Sequence, residues 1–429
     1  MTASILMRLR VGFRWSAMTC GCLLFTGGVV AKYLYICARM AHLLFKNIKT
    51  NVKYLNYDPA WFRLRWVRLL AMTCGCLLWM VGCDNRAKDG DADAPRKFVL
   101  EVSGRHLPQS AVTMPVVFDN LLFFADKTGA VISMDSDFKP RWNVALTNQN
   151  VRFENSGCAA DNRVFLASMS GGVYCFDYAD GSIIWQRNYD ASFANAPIAG
   201  TISARAVLWL LSASDGVVFC VNAADGELIW QSEATNRSDG GAVVWNHIVV
   251  YGNCDGAAHL FNACDGSKIA VIPVGESDQM AGTPFVTADG LLYIGTRGGR
   301  LAVVDLQKQK LLTTYKISDE EAFVTPTSAF DGCVAVGTDE GDVMLCTLLE
   351  GELKVVRKNR VAASVSQLLF NEELLYLLAG GNLIVLNEEF VTVAMINLAD
   401  SVEGLALLRD GSVVTKGDNT LVKVKGEWK

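Results

Sequence analysis

Ser168–Trp185 reads SMSGGVYCFDYADGSIIW, and Ser212–Trp230 repeats it as SASDGVVFCVNAADGELIW. Each copy has a glycine turn, an alternating apolar strand, an Ala-Asp-Gly turn and a second strand ending in Ile-Trp. Weaker copies follow as CDGAAHLFNACDGSKIAVI, RGGRLAVVDLQKQKLLTTY and DEGDVMLCTLLEGELKVV. The turn glycines Gly129, Gly172, Gly216, Gly256, Gly299, Gly341, Gly381 and Gly417 are 36 to 44 residues apart. A period near 40 with short strands and tight turns is that of a β-propeller, whose blades bury their faces only against one another. The reading is therefore all-β: eight four-stranded blades between Met114 and Lys429.

The turns supply the positive φ that tight hairpins need. Pro115, Pro197, Pro284 and Pro326 recur just before apolar runs expected to form innermost strands. A proline at a strand's first residue removes no ladder hydrogen bond. Trp142, Trp185 and Trp230 close the outer strand of the first three units, where such rings are expected to dock between blades. The last unit, Val402–Lys429, has room for about three strands, and Lys97–Gly104 (KFVLEVSG) is the one strand-like run free to complete it. Pairing the two closes the ring and removes an exposed edge.

Residues 1–82 hold 11 Lys or Arg and a single acid, Asp58, whereas residues 83–429 hold 28 Lys or Arg against 43 acids, a net charge of −15. An acidic body of this kind disfavours nucleic acid and anionic bilayers as partners. In the basic region Arg63, Arg65 and Arg68 precede the apolar run Leu69–Gly82, which leads into Cys83. A charged lead, a short apolar stretch and a small residue before cysteine make a bacterial lipoprotein-type signal over residues 63–82, with Cys83 as the lipidated residue. Some thirteen apolar residues are too few for a comfortable span. Residues 83–96 then read as a polar tether and 97–429 as the propeller.

The string AMTCGCLL occurs at Ala17–Leu24 and again at Ala71–Leu78, but the first copy has Val29 in the place of Cys83. Residues 1–60 are on this reading either a duplicated upstream segment or untranslated. The alternative is a membrane helix over Trp15–Leu44, interrupted by Lys32, Arg39 and His42.

Of 13 cysteines seven lie in the propeller: Cys158, Cys175, Cys220, Cys254, Cys264, Cys333 and Cys346. Cys175 and Cys220 share a repeat column with Leu260 and Val303 and read as small apolar core residues. Cys254 and Cys264 flank one hairpin, and a bridge between them is left open. The blades hold His247 and His259 outside any metal-binding spacing, no nucleophile elbow and no phosphate loop. Catalytic residues, metal and cofactor are all read as none, and the chain as a non-enzyme.

The best copies, Gly-x-x-x-x-Asp-x-x-x-Gly-x-x-x-Trp, resemble quinoprotein propellers that bind pyrroloquinoline quinone. This chain lacks the adjacent Cys-Cys pair of those enzymes. In length, blade number and signal it resembles the family of the outer-membrane assembly factor BamB more closely. That resemblance implies a periplasmic, lipid-anchored, non-catalytic scaffold, monomeric within a hetero-complex. Its partners would be the POTRA domains of BamA and other components of the β-barrel assembly machine. The family's contact loops correspond here to Tyr189–Pro197 (YDASFANAP), which keeps Ala196-Pro197, and to Ala234–Gly241 (ATNRSDGG). The implied contact residues are Phe193 and Arg237 as anchors, with Asn195 beside them and Asp190 and Asp239 offering charge to a basic partner. Asp84-Asn85 after the lipidated cysteine is an inner-membrane retention signal in enterobacteria, so the anchoring membrane is the outer one by resemblance and the inner one by this dipeptide. A generic periplasmic protein-binding propeller and a quinone-dependent dehydrogenase-like protein are the competing readings.

Overall fold

The computed structural model describes residues 96–429 except 109–111, 127–128, 147–150, 276–277, 281, 320–325, 372, 399–401 and 418. Cys83, the signal, the membrane-helix alternative and nearly all of the tether lie outside the described residues. The described residues form 32 strands, β1–β32 in chain order, in eight four-stranded antiparallel sheets. Blades 1 to 7 are sequential meanders: β2–β5 (116–145), β6–β9 (158–188), β10–β13 (198–231), β14–β17 (243–273), β18–β21 (285–316), β22–β25 (327–360) and β26–β29 (365–397). Pro115, Pro197, Pro284 and Pro326 each stand directly before an innermost strand, as read from the sequence.

Blade 8 is the exception that closes the ring. It takes β30 (Glu403–Leu407), β31 (Val413–Gly417) and β32 (Thr420–Trp428) from the C-terminal end, and β1 (Phe98–His106) as its outermost strand. Pairing runs antiparallel from Phe98↔Trp428 to His106↔Leu421, with one register shift between Val102 and Gly104. The expected closure holds, and the strand starts and ends slightly later than Lys97–Gly104.

Eight apolar clusters lie at the eight blade boundaries. The cluster that seals the circle joins Leu122, Phe124 and Met134 of blade 1 to Leu408, Val414 and Leu421 of blade 8. No blade has a core of its own, so each strand buries its apolar face only once its neighbour is in place.

The Trp-Gly pattern has a packing cause. A Cβ on Gly181, Gly226 or Gly266 would come within 2.4–2.7 Å of the ring of Trp142, Trp185 or Trp230, respectively. Each of these glycines also sits at φ of 72° to 76° in the outer hairpin of the next blade. One residue type thus meets both the turn geometry and the close approach of the preceding blade's indole. The pattern ends at blade 4, where Ala270 opposes Leu260 in the Trp column and the hairpin of blade 5 has Gln309 at φ 52° rather than glycine. Two turn glycines differ from the sequence reading: in blade 2 the left-handed residue is Gly171 (φ 84°), with Gly172 opening the strand, and Gly417 ends β31.

The seven cysteines among the described residues are free thiols, and Cys175, Cys220 and Cys346 are buried. Burial pushes the Cys175 and Cys220 thiols up to about 12, consistent with inert core residues. A Cys254–Cys264 bridge is ruled out because the two lie at opposite ends of β16 (Ala257–Asn262). Six residues of strand hold them roughly 20 Å apart, far beyond disulfide reach.

Candidate functional site

Counting strands outward, the first-to-second hairpins of all eight blades and the third-to-fourth hairpins of blades 1 to 7 open on one face of the ring. The second-to-third turns and the links between blades open on the other, and the two candidate loops, Tyr189–Pro197 and Ala234–Gly241, belong to this second, loop face.

The four links that join blades 1 to 5 share a repeated hydrogen-bond register with the turn of the following blade. The carbonyls of Arg152, Ser192, Arg237 and Gln279 accept from Met169, Ala213, Cys254 and Arg297 at 2.8–3.0 Å. The next residue in each link is Phe153, Phe193, Ser238 or Met280, and all four are buried. A link's plug residue is therefore set by its position, whatever its type. Phe193 is fully buried, edge-on to Phe219 at 5.8 Å and to Tyr189 at 6.3 Å. This corrects its reading as an exposed partner anchor: the ring belongs to the cluster between blades 2 and 3.

The remaining candidates do converge. Asn195 donates its side-chain amide to the carbonyl of Gly240 at 3.0 Å and so ties the two loops into one surface. Arg237 donates through Nε to Asp239 Oδ1 at 2.6 Å, and Arg297 of blade 5 donates to Asp239 Oδ2 at 3.1 Å. Partial burial works against the charge on Asp239, but the hydrogen bonds and charges of Arg237 and Arg297 outweigh it and hold the carboxyl below the usual range. Asp239 is thus neutralised by cations of its own chain, and the patch presents the guanidinium edges of Arg237 and Arg297, both well exposed. That reverses the expectation that Asp239 offers free negative charge to a basic partner. Asp190 is exposed at the loop's start and has no ion pair among the described residues.

Arg297 escaped sequence reading because GTRGGR (Gly295–Arg300) is an ordinary blade turn; only the ring places it beside the preceding link. Behind it, Asp278 is buried and accepts from Gly298 N at 2.7 Å, Arg300 at 2.8 Å and Thr296 Oγ1 at 2.9 Å, which clamps the link between blades 4 and 5 under the patch.

Towards the ring axis the links line two cavities. One of about 400 Å³ is bounded by Glu154, Asn155, Asn195, Pro197, Gly241 and Thr283. The other, of about 650 Å³, includes Thr113, Arg152, Glu154, Glu403 and Lys416. Two of its acids face cations of their own, Glu154 with Arg152 and Glu403 with Lys416 at 2.9 Å. Among the described residues no three His, Cys, Asp or Glu side chains come together in a metal-binding group, and no helix is long and apolar enough to cross a membrane.

Residues 150–359, which include both loops and Arg297, match the family model described as outer membrane protein assembly factor BamB. The BamB of Shewanella oneidensis is 27% identical over 145 residues, which cover 34% of this chain and 35% of that protein; the match thus spans about a third of that relative's length. Among solved structures, BamB from Moraxella catarrhalis superposes with a TM-score of 0.62 at 17% identity, covering 76% of this chain and 98% of that one. Sqt1 of Saccharomyces cerevisiae gives 0.61 at 14% identity, covering 77% and 99%. The computationally designed Ika8 protein gives 0.59 at 16% identity, covering 74% and 96%. The three structural likenesses are likenesses of fold. This chain is thus an eight-bladed β-propeller closed by an N-terminal strand, and over residues 150–359 it is similar to the BamB family.

Proposed function

We propose that the chain is a non-catalytic scaffold of the outer-membrane β-barrel assembly machinery, held by a lipid on Cys83 at the periplasmic face of the outer membrane and binding the periplasmic domains of BamA through its loop face. The observation that carries the reading is the tying of two links and a turn into one patch. Asn195 joins the loops, and Arg237, Asp239 and Arg297 form a continuous charged ridge across blades 3 to 5. Loops on a rigid ring present such groups with little ordering on binding. Exposed arginines held by a shared carboxylate can each engage an acidic or aromatic partner side chain. The match to the BamB model over this part of the chain supports the choice of partner.

The test is affinity purification of the tagged full chain from membranes in mild detergent. The reading expects BamA among the bound chains, in an amount reduced when Arg237→Glu and Arg297→Glu are combined. Recovery of other proteins without BamA contradicts it.

A further inference from the structure

On the hairpin face, opposite the patch just described, blades 6, 7 and 8 enclose a cleft of about 390 Å³. Phe330, Leu374 and Trp428 are its apolar lining, and Glu373, Glu388 and Glu389 are its charged side chains. Phe330 is fixed edge-on to Phe370 at 5.0 Å, and Trp428 edge-on to Phe98 at 5.0 Å, so both rings are held by the core. Trp428 is nevertheless 47% exposed. A large aromatic ring held in place yet open to solvent is what binding surfaces use as an anchor.

The three glutamates are exposed and make no ion pair among the described residues. Lys429 pairs with Glu101 at 2.6 Å and Glu427 at 3.2 Å, and the Arg357 guanidinium is held at the edge of the cleft on the backbone carbonyl of Glu388. Three carboxylates against that one guanidinium leave the cleft with excess negative charge beside an aromatic face, which favours a further cation from outside. Among cationic groups a guanidinium fits best, because it can lie on an indole face and fork to carboxylates at once. A cavity of this size accommodates a few side chains.

We propose that this cleft is a second docking site, for a basic amphipathic segment of a partner protein. An arginine of the segment lies on Trp428 and meets Glu388 and Glu389, while an apolar neighbour packs against Phe330 and Leu374. The site is independent of the loop face and of the partner assigned to it.

The probe is a fluorescent ten-residue peptide alternating arginine and leucine, titrated against the full-length protein and read by anisotropy, with a glutamate-leucine peptide as counterpart. Saturable binding of the arginine peptide alone is expected. It should weaken about tenfold or more in Glu388→Lys combined with Glu389→Lys, and likewise in Trp428→Ala. Arg237→Glu on the opposite face should leave it unchanged. The glutamates are exposed, so an unaltered melting temperature certifies the charge-reversed fold. Absence of saturable binding to the wild type overturns the proposal, and so does equal binding by a folded charge-reversed variant or by the glutamate peptide.

Discussion

Trp185 of blade 2 donates its indole N–H to the carbonyl of Ala223 in blade 3 at 3.0 Å. Trp142 does the same one blade earlier, to Tyr178 at 3.0 Å. Trp230, the third member of the column, is buried without a partner, because Trp209 of the same blade donates to Ala263, its counterpart acceptor, at 3.1 Å. Three equivalent rings therefore pack alike and bond differently.

A pair of substitutions isolates that difference. Trp185→Phe and Trp230→Phe remove similar volume, but only the first removes a hydrogen bond, from a carbonyl that Arg163 also holds at 3.0 Å. Trp185→Phe is expected to destabilise the protein by about 0.5–1.5 kcal/mol more than Trp230→Phe in urea unfolding. Equal losses would show that the indole bond contributes nothing.

Phe193→Ala is expected to act on stability. The ring is fully buried between blades 2 and 3, so its truncation should cost about 3–5 kcal/mol and lower the melting temperature. A variant that melts like the wild type yet loses its partner would restore Phe193 as a contact residue.

Deleting Lys97–Gly104 removes most of the outermost strand of blade 8, including the ring of Phe98, 4% exposed, and bares the edge of β32. Loss of several kcal/mol and concentration-dependent aggregation are expected. An unchanged cooperative melt would mean that the ring closes some other way.

His259 gives a pH dependence. It is buried, stacked on Tyr251 at 5.7 Å with an interplanar angle of 13°, and neither ring nitrogen has a hydrogen-bond partner. Burial pushes its pKa below the ordinary 6.5, Asp255 and Glu233 pull it up more weakly, and Lys268 lowers it further. The folded protein thus binds the proton less well than the unfolded chain. The stability His259 contributes is complete above pH 6.5 and is lost as pH falls from there towards the depressed folded value. His259→Phe should flatten this part of the stability profile measured between pH 7.5 and 5. An unchanged slope would place the titration elsewhere.

The fold was legible because its constraints are local: an Asp-Gly hairpin and the Trp that lies on it recur at one period, and a three-strand unit demands a fourth strand. The pairing of the N-terminal strand with the last unit follows from that count, whereas its register, Phe98↔Trp428, comes from the structure. The site was less legible because its links differ in length and residue type. Phe153, Phe193, Ser238 and Met280 share one buried position that composition hides and only the hydrogen-bond register reveals. Arg297 joins Asp239 across 58 positions of sequence, a proximity that ring geometry creates and no motif records.

The most direct test of the scaffold reading is the affinity of the purified full chain for the periplasmic domains of BamA, measured by calorimetry for the wild type, for Arg237→Glu with Arg297→Glu, and for Glu388→Lys with Glu389→Lys. The account predicts binding by the wild type, a loss of about 2 kcal/mol or more in the first variant, and wild-type affinity in the second. No binding by the wild type, or equal affinity in the loop-face variant, would contradict it.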